Sequence, residues 1–117
     1  MVKIAVASTD GKVVNQHFGK ADTFYILALD DELKSYTLSE IRKVQPVCYG
    51  GDHDLSQLQE AVKNLSDCTY LIASRIGLRA KLEFEQQGIR VFELPDLIPN
   101  AIERLARYVA LEKLLQG

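Results

Sequence analysis

The chain has 117 residues, of which 47% are apolar and 26% charged, and we expect one globular domain across residues 1–117. Its formal net charge of −2 excludes a broad basic field for nucleic acid or for an acidic membrane surface. The sequence contains neither a bilayer-spanning apolar run nor the pattern of a secretory signal, and we expect a cytoplasmic protein. Its two cysteines, Cys48 and Cys68, are then expected to be reduced thiols.

The first half of the chain has the pattern of strands. Nearly continuous apolar runs at residues 3–7 and 23–30 predict two strands that are buried on both faces. After a polar turn, residues 33–42 alternate between two sets of side chains and predict a half-exposed third strand. Residues 45–54 are rich in turn-forming residues.

The second half alternates helix and strand. Leu55, Leu58, Val62 and Leu65 are spaced by three and four residues and predict a helix that begins at Asp54. Residues 68–74 and 89–94 predict two further strands, separated by a helix that ends at Gly88. In that helix Leu78 and Leu82 share one face. The last helix is predicted from a single apolar stripe formed by Ala101, Leu105, Tyr108, Leu111 and Leu115.

The predicted order is therefore β-β-β-α-β-α-β-α. Three strands running up, down and up, followed by two crossover units, give a three-layer α/β fold with a mixed five-stranded sheet. In this topology His17, Cys48, His53 and residues 74–77 lie at one edge, where parallel strands end. Open α/β sheets usually bind ligands at that edge.

Each polar residue at this edge has an ordinary interpretation and a functional one. His17 is either a loop histidine bonded to a carbonyl or a metal ligand, and His53 leaves the same two choices open. Cys48 precedes Gly50 and Gly51, which allow the backbone to turn tightly and to approach a bulky group. Cys68 opens an apolar strand and is expected to be a small core residue.

Two further patterns in the sequence bear on its chemistry. The turn at residues 74–77 leads into a helix whose free N–H groups suit an anion, although an ordinary strand-to-helix turn has the same pattern. Cys48 and His53 could form a nucleophile and base, but the sequence offers no third group to orient them. The cysteines and histidines also lack the close spacing of a structural zinc site.

The chain resembles the dinitrogenase iron–molybdenum cofactor family, which includes NifX, NifY, the cofactor-binding part of NafY and the carboxyl-terminal domain of NifB. The resemblance covers residues 3–105 and is carried by "KIAVASTDGKVVNQHFGKADTFYIL", "CYGG", "LSDCTYLIASRIG" and "LEFEQQGIRVFE". Ser74 occupies a position where alanine is usual in the family. The resemblance implies an RNase H-like fold, no catalysis by the domain itself, and binding of the iron–molybdenum cofactor or its iron–sulfur precursor during nitrogenase assembly.

The resemblance also implies a cluster ligand, and position in the predicted fold suggests the residues around it. His17, in the "HFG" motif, is the expected cluster ligand, and Cys48 is the thiolate paired with it; thiolate and imidazole both suit the iron of such clusters. His53 is a further possible metal ligand. Phe18 is expected to wall the site. The remaining contacts to the anionic cluster would come from Asn15, Gly50, Gly51, Arg75 and Gly77, with Lys12, Lys20 and Arg79 as additional cations.

Expected partners are nitrogenase cofactor-assembly proteins or apo-nitrogenase, with no nucleic acid and no membrane. Two alternatives to the cluster carrier stay open. The domain could bind a mononuclear metal or regulate a partner outside nitrogen fixation, or it could be an enzyme that uses Cys48 as its nucleophile.

Overall fold

The computed structural model describes residues 1–46, 48–49, 52–53 and 55–116, with backbone alone for 48–49, 52–53 and 55. Asp54, the predicted start of the first helix, lies outside the described residues. The elements in chain order are β1 (Val2–Ala7), β2 (Thr23–Leu29), β3 (Tyr36–Lys43), β4 (Cys48–Tyr49), β5 (Asp52–His53), α1 (Leu55–Asn64), β6 (Tyr70–Ala73), α2 (Leu78–Gln86), β7 (Arg90–Glu93) and α3 (Ile98–Gln116).

The main sheet has five strands in the order β3-β2-β1-β6-β7. The second strand is antiparallel to both of its neighbours, whereas β6 and β7 run parallel to β1. This arrangement confirms the predicted mixed five-stranded sheet and its up, down, up order. The segment predicted as turn-rich contains a small separate pair, β4 and β5, in which the backbone of Cys48 lies opposite that of His53.

Helices cover both faces of the sheet. Alternate strand residues such as Ala5 and Leu71 pack with α1 and α2 in one buried cluster. Their neighbours Ile4 and Ile72 pack with α3 in a second cluster on the opposite face. Because successive strand side chains point to opposite faces, apolar runs of this kind are expected where both faces are covered. The three-layer prediction is confirmed.

The expected apolar face of α2 is wrong. Leu78 and Leu82 are 71% and 49% exposed, and the helix instead buries Phe84 completely and packs Ala80 against the core. Residues 80 and 84 lie on the side of the helix opposite to 78 and 82, so the helix can bury one pair only. The ring of Phe84 packs edge to face against that of Phe18, with centroids 5.1 Å apart, and this aromatic contact favours the observed orientation. The predicted stop at Gly88 is confirmed by its φ of +82°.

The predicted stripe of α3 is buried only in its first half. Ala101 and Leu105 are fully buried, but Tyr108, Leu111 and Leu115 are more than half exposed. A 19-residue helix is about 28 Å long, while four-residue strands such as β6 and β7 extend about 13 Å. The last turns of α3 therefore extend beyond these short strands. None of the helices in the described part of the chain is long and apolar enough to span a membrane.

Strand direction determines where the site lies. The loops that follow β1, β6 and β7 all leave the carboxyl ends of parallel strands, so they meet at one edge of the sheet.

Candidate functional site

The loop after β1 is held in shape by its own side chains. Asn15 accepts a hydrogen bond from the backbone N–H of Thr9 at 3.0 Å and donates one to the Thr9 hydroxyl at 2.8 Å. Asp10 accepts from the backbone N–H groups of Lys12 and Val13, which lowers the pKa of its carboxyl. These bonds satisfy backbone donors that no strand or helix pairs, and they order the loop before it reaches His17.

Phe18 anchors the same loop to the core. Its side chain is 3% exposed and lies with its ring centroid 5.1 Å from that of Phe84, edge to face, and 6.2 Å from that of Phe24. The chain makes a 3₁₀ turn over Phe18–Lys20. The preceding residue, His17, is left exposed above this aromatic contact.

Two backbone hydrogen bonds join this loop to the turn between β6 and α2. The N–H of Phe18 donates to the carbonyl of Arg75 at 2.8 Å, and the N–H of Ser74 donates to the carbonyl of Gln16 at 3.0 Å. His17 and Arg75 consequently form a parallel β-bridge. Residues that are 58 positions apart in the sequence thus become direct neighbours.

A cavity of about 320 Å³ lies over this bridge, and we call it the edge cavity. Glu93, the last residue of β7, contributes to its wall and accepts a hydrogen bond from the backbone N–H of Ile76 at 2.9 Å. The lining residues are His17, Gly19, Arg75, Ile76, Gly77 and Glu93.

The edge cavity has the features of an anion-binding surface on the side formed by residues 75–77. Arg75 has no ion pair with any residue that the structure describes. Gly77 is the N-cap of α2 and has no side chain to satisfy the free N–H groups of the first turn, which also contains no acidic residue. Unpaired N–H groups and the positive end of a helix dipole both favour a negatively charged ligand.

Two buried polar atoms flank the His17–Arg75 bridge without a hydrogen-bond partner among the described residues: Gln16 Oε1 and Ser74 Oγ. Ser74 donates its backbone N–H to the Gln16 carbonyl, so both lie where the two loops meet. A buried polar atom without a hydrogen-bond partner is energetically unfavourable.

The hairpin of β4 and β5 adjoins this region at the level of the backbone. Cα atoms of β4 lie within 8 Å of Cα atoms in the 3₁₀ turn that follows His17. The side chains of Cys48 and His53 lie outside the described part of the chain, as do Gly50 and Gly51. Their predicted ligand and backbone roles therefore stay predictions.

The structure brings together three of the predicted site residues: His17, Arg75 and Gly77 line one cavity. Asn15 does not line this cavity, because the oxygen and the nitrogen of its side-chain amide are both hydrogen-bonded to Thr9. Phe18 does not wall it either, because its ring packs in the core. Both residues instead support the loop that presents His17.

Lys12 was expected to help hold an anion at the same place. It lines a different cavity of about 550 Å³, on the α3 face of the sheet, with Tyr25, Leu38 and Leu97 among its neighbours. The loop after β1 is long enough to reach both faces of the sheet, so a residue's membership of that loop does not determine which cavity it reaches.

Sequence reasoning missed Glu93. It ends a strand that was predicted correctly, next to the strand that leads into residues 74–77. The adjacency of these two strand ends could have indicated its place at the cavity.

Cys68, the second cysteine of the chain, is part of the buried core. Cys68 is free, 4% exposed, and burial raises the pKa of its thiol to about 12. This agrees with the expectation of a small core residue. Among the described residues, no three or more His, Cys, Asp or Glu side chains are grouped so that they could hold a metal ion.

Comparison with known proteins identifies the family of this chain. The model of the dinitrogenase iron–molybdenum cofactor family matches residues 1–108. The FeMo cofactor biosynthesis protein NifB of Frankia alni is 34% identical over 116 residues, which are 97% of this chain but 22% of the relative. The chain therefore spans about a fifth of the length of that relative.

Solved structures share the fold. The crystal structure of PH0822 matches with a TM-score of 0.65 at 20% identity, covering 90% of each chain. An NMR structure of a candidate NifB protein from Thermotoga matches with a TM-score of 0.59 at 22% identity, covering 92% of this chain and 89% of that one. The narrower RNase H-like assignment stays a prediction. The family prediction is confirmed: the chain belongs to the dinitrogenase iron–molybdenum cofactor family.

Proposed function

We propose that this chain binds and carries the iron–molybdenum cofactor, or its iron–sulfur precursor, at the edge cavity during nitrogenase cofactor assembly. The observation that carries the proposal is the β-bridge between His17 and Arg75. The His17 imidazole, a side chain of a type that commonly binds metal ions, and the Arg75 guanidinium, which has no ion pair with a described residue, line one exposed cavity.

The imidazole is suited to direct coordination. Its side chain makes no helix-capping hydrogen bond, and the two nitrogens of an imidazole are of the donor type that binds iron or a heterometal. The backbone on either side of His17 is fixed by the bonds to residues 74–75 and by the burial of Phe18. A ligand on a fixed backbone loses little conformational freedom when it binds.

The surrounding groups are suited to the charge of the cargo. Clusters rich in sulfide are anionic, and the guanidinium of Arg75 together with the uncapped start of α2 would stabilise a negative charge. Lys20 ends the 3₁₀ turn and Arg79 lies in the first turn of α2, and we propose that both cations contribute to the positive charge on this side of the molecule.

A carrier must also release its cargo. One or two protein ligands at an open cavity permit transfer, whereas a closed set of four would retain the metal. The described residues supply one histidine at this cavity, and Cys48 is the proposed second ligand on the neighbouring strand. We propose binding and transfer without catalysis by this domain, with cofactor-assembly proteins or apo-nitrogenase as donor and acceptor.

An anaerobic titration with the isolated cofactor tests this proposal. Native protein should bind it in a one-to-one complex, and His17→Ala should lower the affinity at least tenfold. Asn15→Ala is a useful comparison because it loosens the same loop without removing the imidazole. Equal affinities of native protein and His17→Ala would contradict the proposal.

A mononuclear metal is the second candidate cargo. Glu93 places a carboxylate on the same cavity as His17, and imidazole with carboxylate is a common donor set for a single divalent ion. Metal and sulfide analysis of protein purified without oxygen separates the two: a cluster carrier contains iron and acid-labile sulfide together, whereas a mononuclear site contains metal without sulfide.

A further inference from the structure

Glu93 fixes the turn that carries the cationic side of the edge cavity. Its carboxylate accepts the N–H of Ile76 at 2.9 Å, while the next residue, Leu94, donates its N–H to the carbonyl of Ala73 at 3.1 Å. On the far side of the turn, the Arg75 carbonyl is held by Phe18. The side chain of Glu93 therefore closes the connection between β7 and the turn at residues 75–77.

The charge of Glu93 is not needed for this contact. A glutamine at position 93 has a carbonyl oxygen that could accept the same N–H bond. Glu93 is also the one carboxylate among the six described residues that line the edge cavity, and it has no ion pair with any of the residues described. The negative charge of Glu93 opposes the binding of an anion at the cavity that Arg75 also lines. This opposition indicates a second role for the carboxylate, besides the hydrogen bond to Ile76.

We propose that Glu93 is a positioning residue whose carboxylate holds residues 75–77 in place and whose negative charge promotes release of an anionic cluster. This inference rests on the proposed function, because the repulsion acts only if the cargo is anionic. The two effects act in opposite directions on affinity: the hydrogen bond shapes the cavity for binding, and the charge weakens binding enough for transfer.

Two substitutions separate the effects. Glu93→Gln keeps an acceptor for the Ile76 N–H and removes the charge, whereas Glu93→Ala removes both. Glu85→Gln is the matched control, since Glu85 is exposed near the far end of α2 and its side chain has no hydrogen bond from a described residue. The measurements are the dissociation constant and dissociation rate of the isolated cluster, and amide hydrogen exchange at Ile76.

We expect Glu93→Gln to bind the cluster about fivefold more tightly and to release it more slowly, because removing a unit charge about 4 Å away changes binding by about that factor in bulk water. Its Ile76 amide should exchange as slowly as in the native protein. Glu93→Ala should exchange that amide faster and should bind less tightly than Glu93→Gln. The control should match the native protein in each measurement.

Weaker binding by Glu93→Gln with unchanged exchange at Ile76 would mean that the carboxylate is itself a ligand, and it would overturn the release role. Unchanged exchange in Glu93→Ala would overturn the positioning role. Failure of the proposed function gives a different result: native protein would not bind the cluster, or its binding would not depend on His17. If native binding depends on His17 and Glu93→Gln binds no more tightly, the inference about Glu93 fails alone.

Discussion

The backbone N–H of Phe18 donates a 2.8 Å hydrogen bond to the carbonyl of Arg75. This bond connects a core anchor to the candidate site, because Phe18 is buried against Phe24 and Phe84 while Arg75 lines the edge cavity. His17 directly precedes Phe18 and forms a β-bridge with Arg75, so the position of its backbone is fixed by both residues. Polar residues from the loop after β1, from the turn after β6 and from the end of β7 thus line one cavity.

Arg42 and Asp67 form the main polar contact between the edge strand β3 and the end of α1. The guanidinium donates two hydrogen bonds to the two carboxylate oxygens, at 2.8 and 2.7 Å, and a third to the carbonyl of Asn64 at 2.7 Å. Asp67→Asn should lower the free energy of unfolding by about 1–2 kcal/mol at pH 7. Asp31→Asn, at an 87% exposed side chain, should change it by less than about 0.5 kcal/mol. Urea unfolding measures both.

The same ion pair predicts a pH dependence. The bonds from Arg42 hold the pKa of Asp67 well below its usual range, and therefore below its value of about 3.9 in the unfolded chain. The contribution is fully present above about pH 5 and is lost as the pH falls through 4 and below. The stability difference between native protein and Asp67→Asn should shrink between pH 6 and pH 3. A constant difference would contradict this assignment.

A glycine is required at position 11 both by the backbone conformation there and by the neighbouring ring of Tyr25. Its φ is +75°, and a Cβ built on it would lie 2.6 Å from Cε2 of Tyr25. Gly11→Ala should therefore lower the free energy of unfolding by about 2 kcal/mol or more. Gly77→Ala is the control, because a Cβ there meets no atom of a described residue within 4 Å and the φ is −68°. Similar midpoints for the two variants in thermal unfolding would be inconsistent with this reading.

Cys68 should be unreactive in the folded protein. The residue is 4% exposed, and the pKa of its thiol is raised to about 12 by burial first and by the charge of Asp67 second. In a Cys48→Ser variant, where Cys68 is the remaining thiol, a disulfide reagent at pH 8 should react slowly without denaturant and completely in urea. Fast reaction of the folded variant would show that this part of the core opens readily.

Ser74 should be dispensable for stability. Its buried hydroxyl has no hydrogen-bond partner among the described residues. Ser74→Ala should leave the free energy of unfolding unchanged or raise it by about 1 kcal/mol, because it removes a desolvated polar group. A loss of more than about 1 kcal/mol would indicate that the hydroxyl has a partner, such as a buried water, that contributes to folding.

The sheet and its two helical layers could be predicted because their signals are local. Residues 3–7 and 68–74 are apolar without interruption, which indicates strands buried on both faces. The short connections between successive elements then left few possible topologies. Gly88 ended its helix as expected for a residue that adopts a positive φ at little cost.

The predictions from the sequence that differ from the structure all depend on tertiary contacts. The sequence of α2 contains two possible apolar faces, and the contact of Phe84 with Phe18, a residue from a distant loop, decides between them. Phe18 was expected at the mouth of the site because it follows His17, but consecutive residues at this turn point in different directions. Glu93 was missed because a glutamate at a strand end carries no local signal of function.

The most direct measurement of the central claim is pulsed EPR of a paramagnetic cluster bound to protein that contains ¹⁵N-labelled histidine. The chain has two histidines, His17 and His53, so two single variants assign any coupling. We predict a ¹⁵N hyperfine coupling that persists in His53→Ala and disappears in His17→Ala. A coupling retained in His17→Ala would contradict the claim that the His17 imidazole holds the cluster.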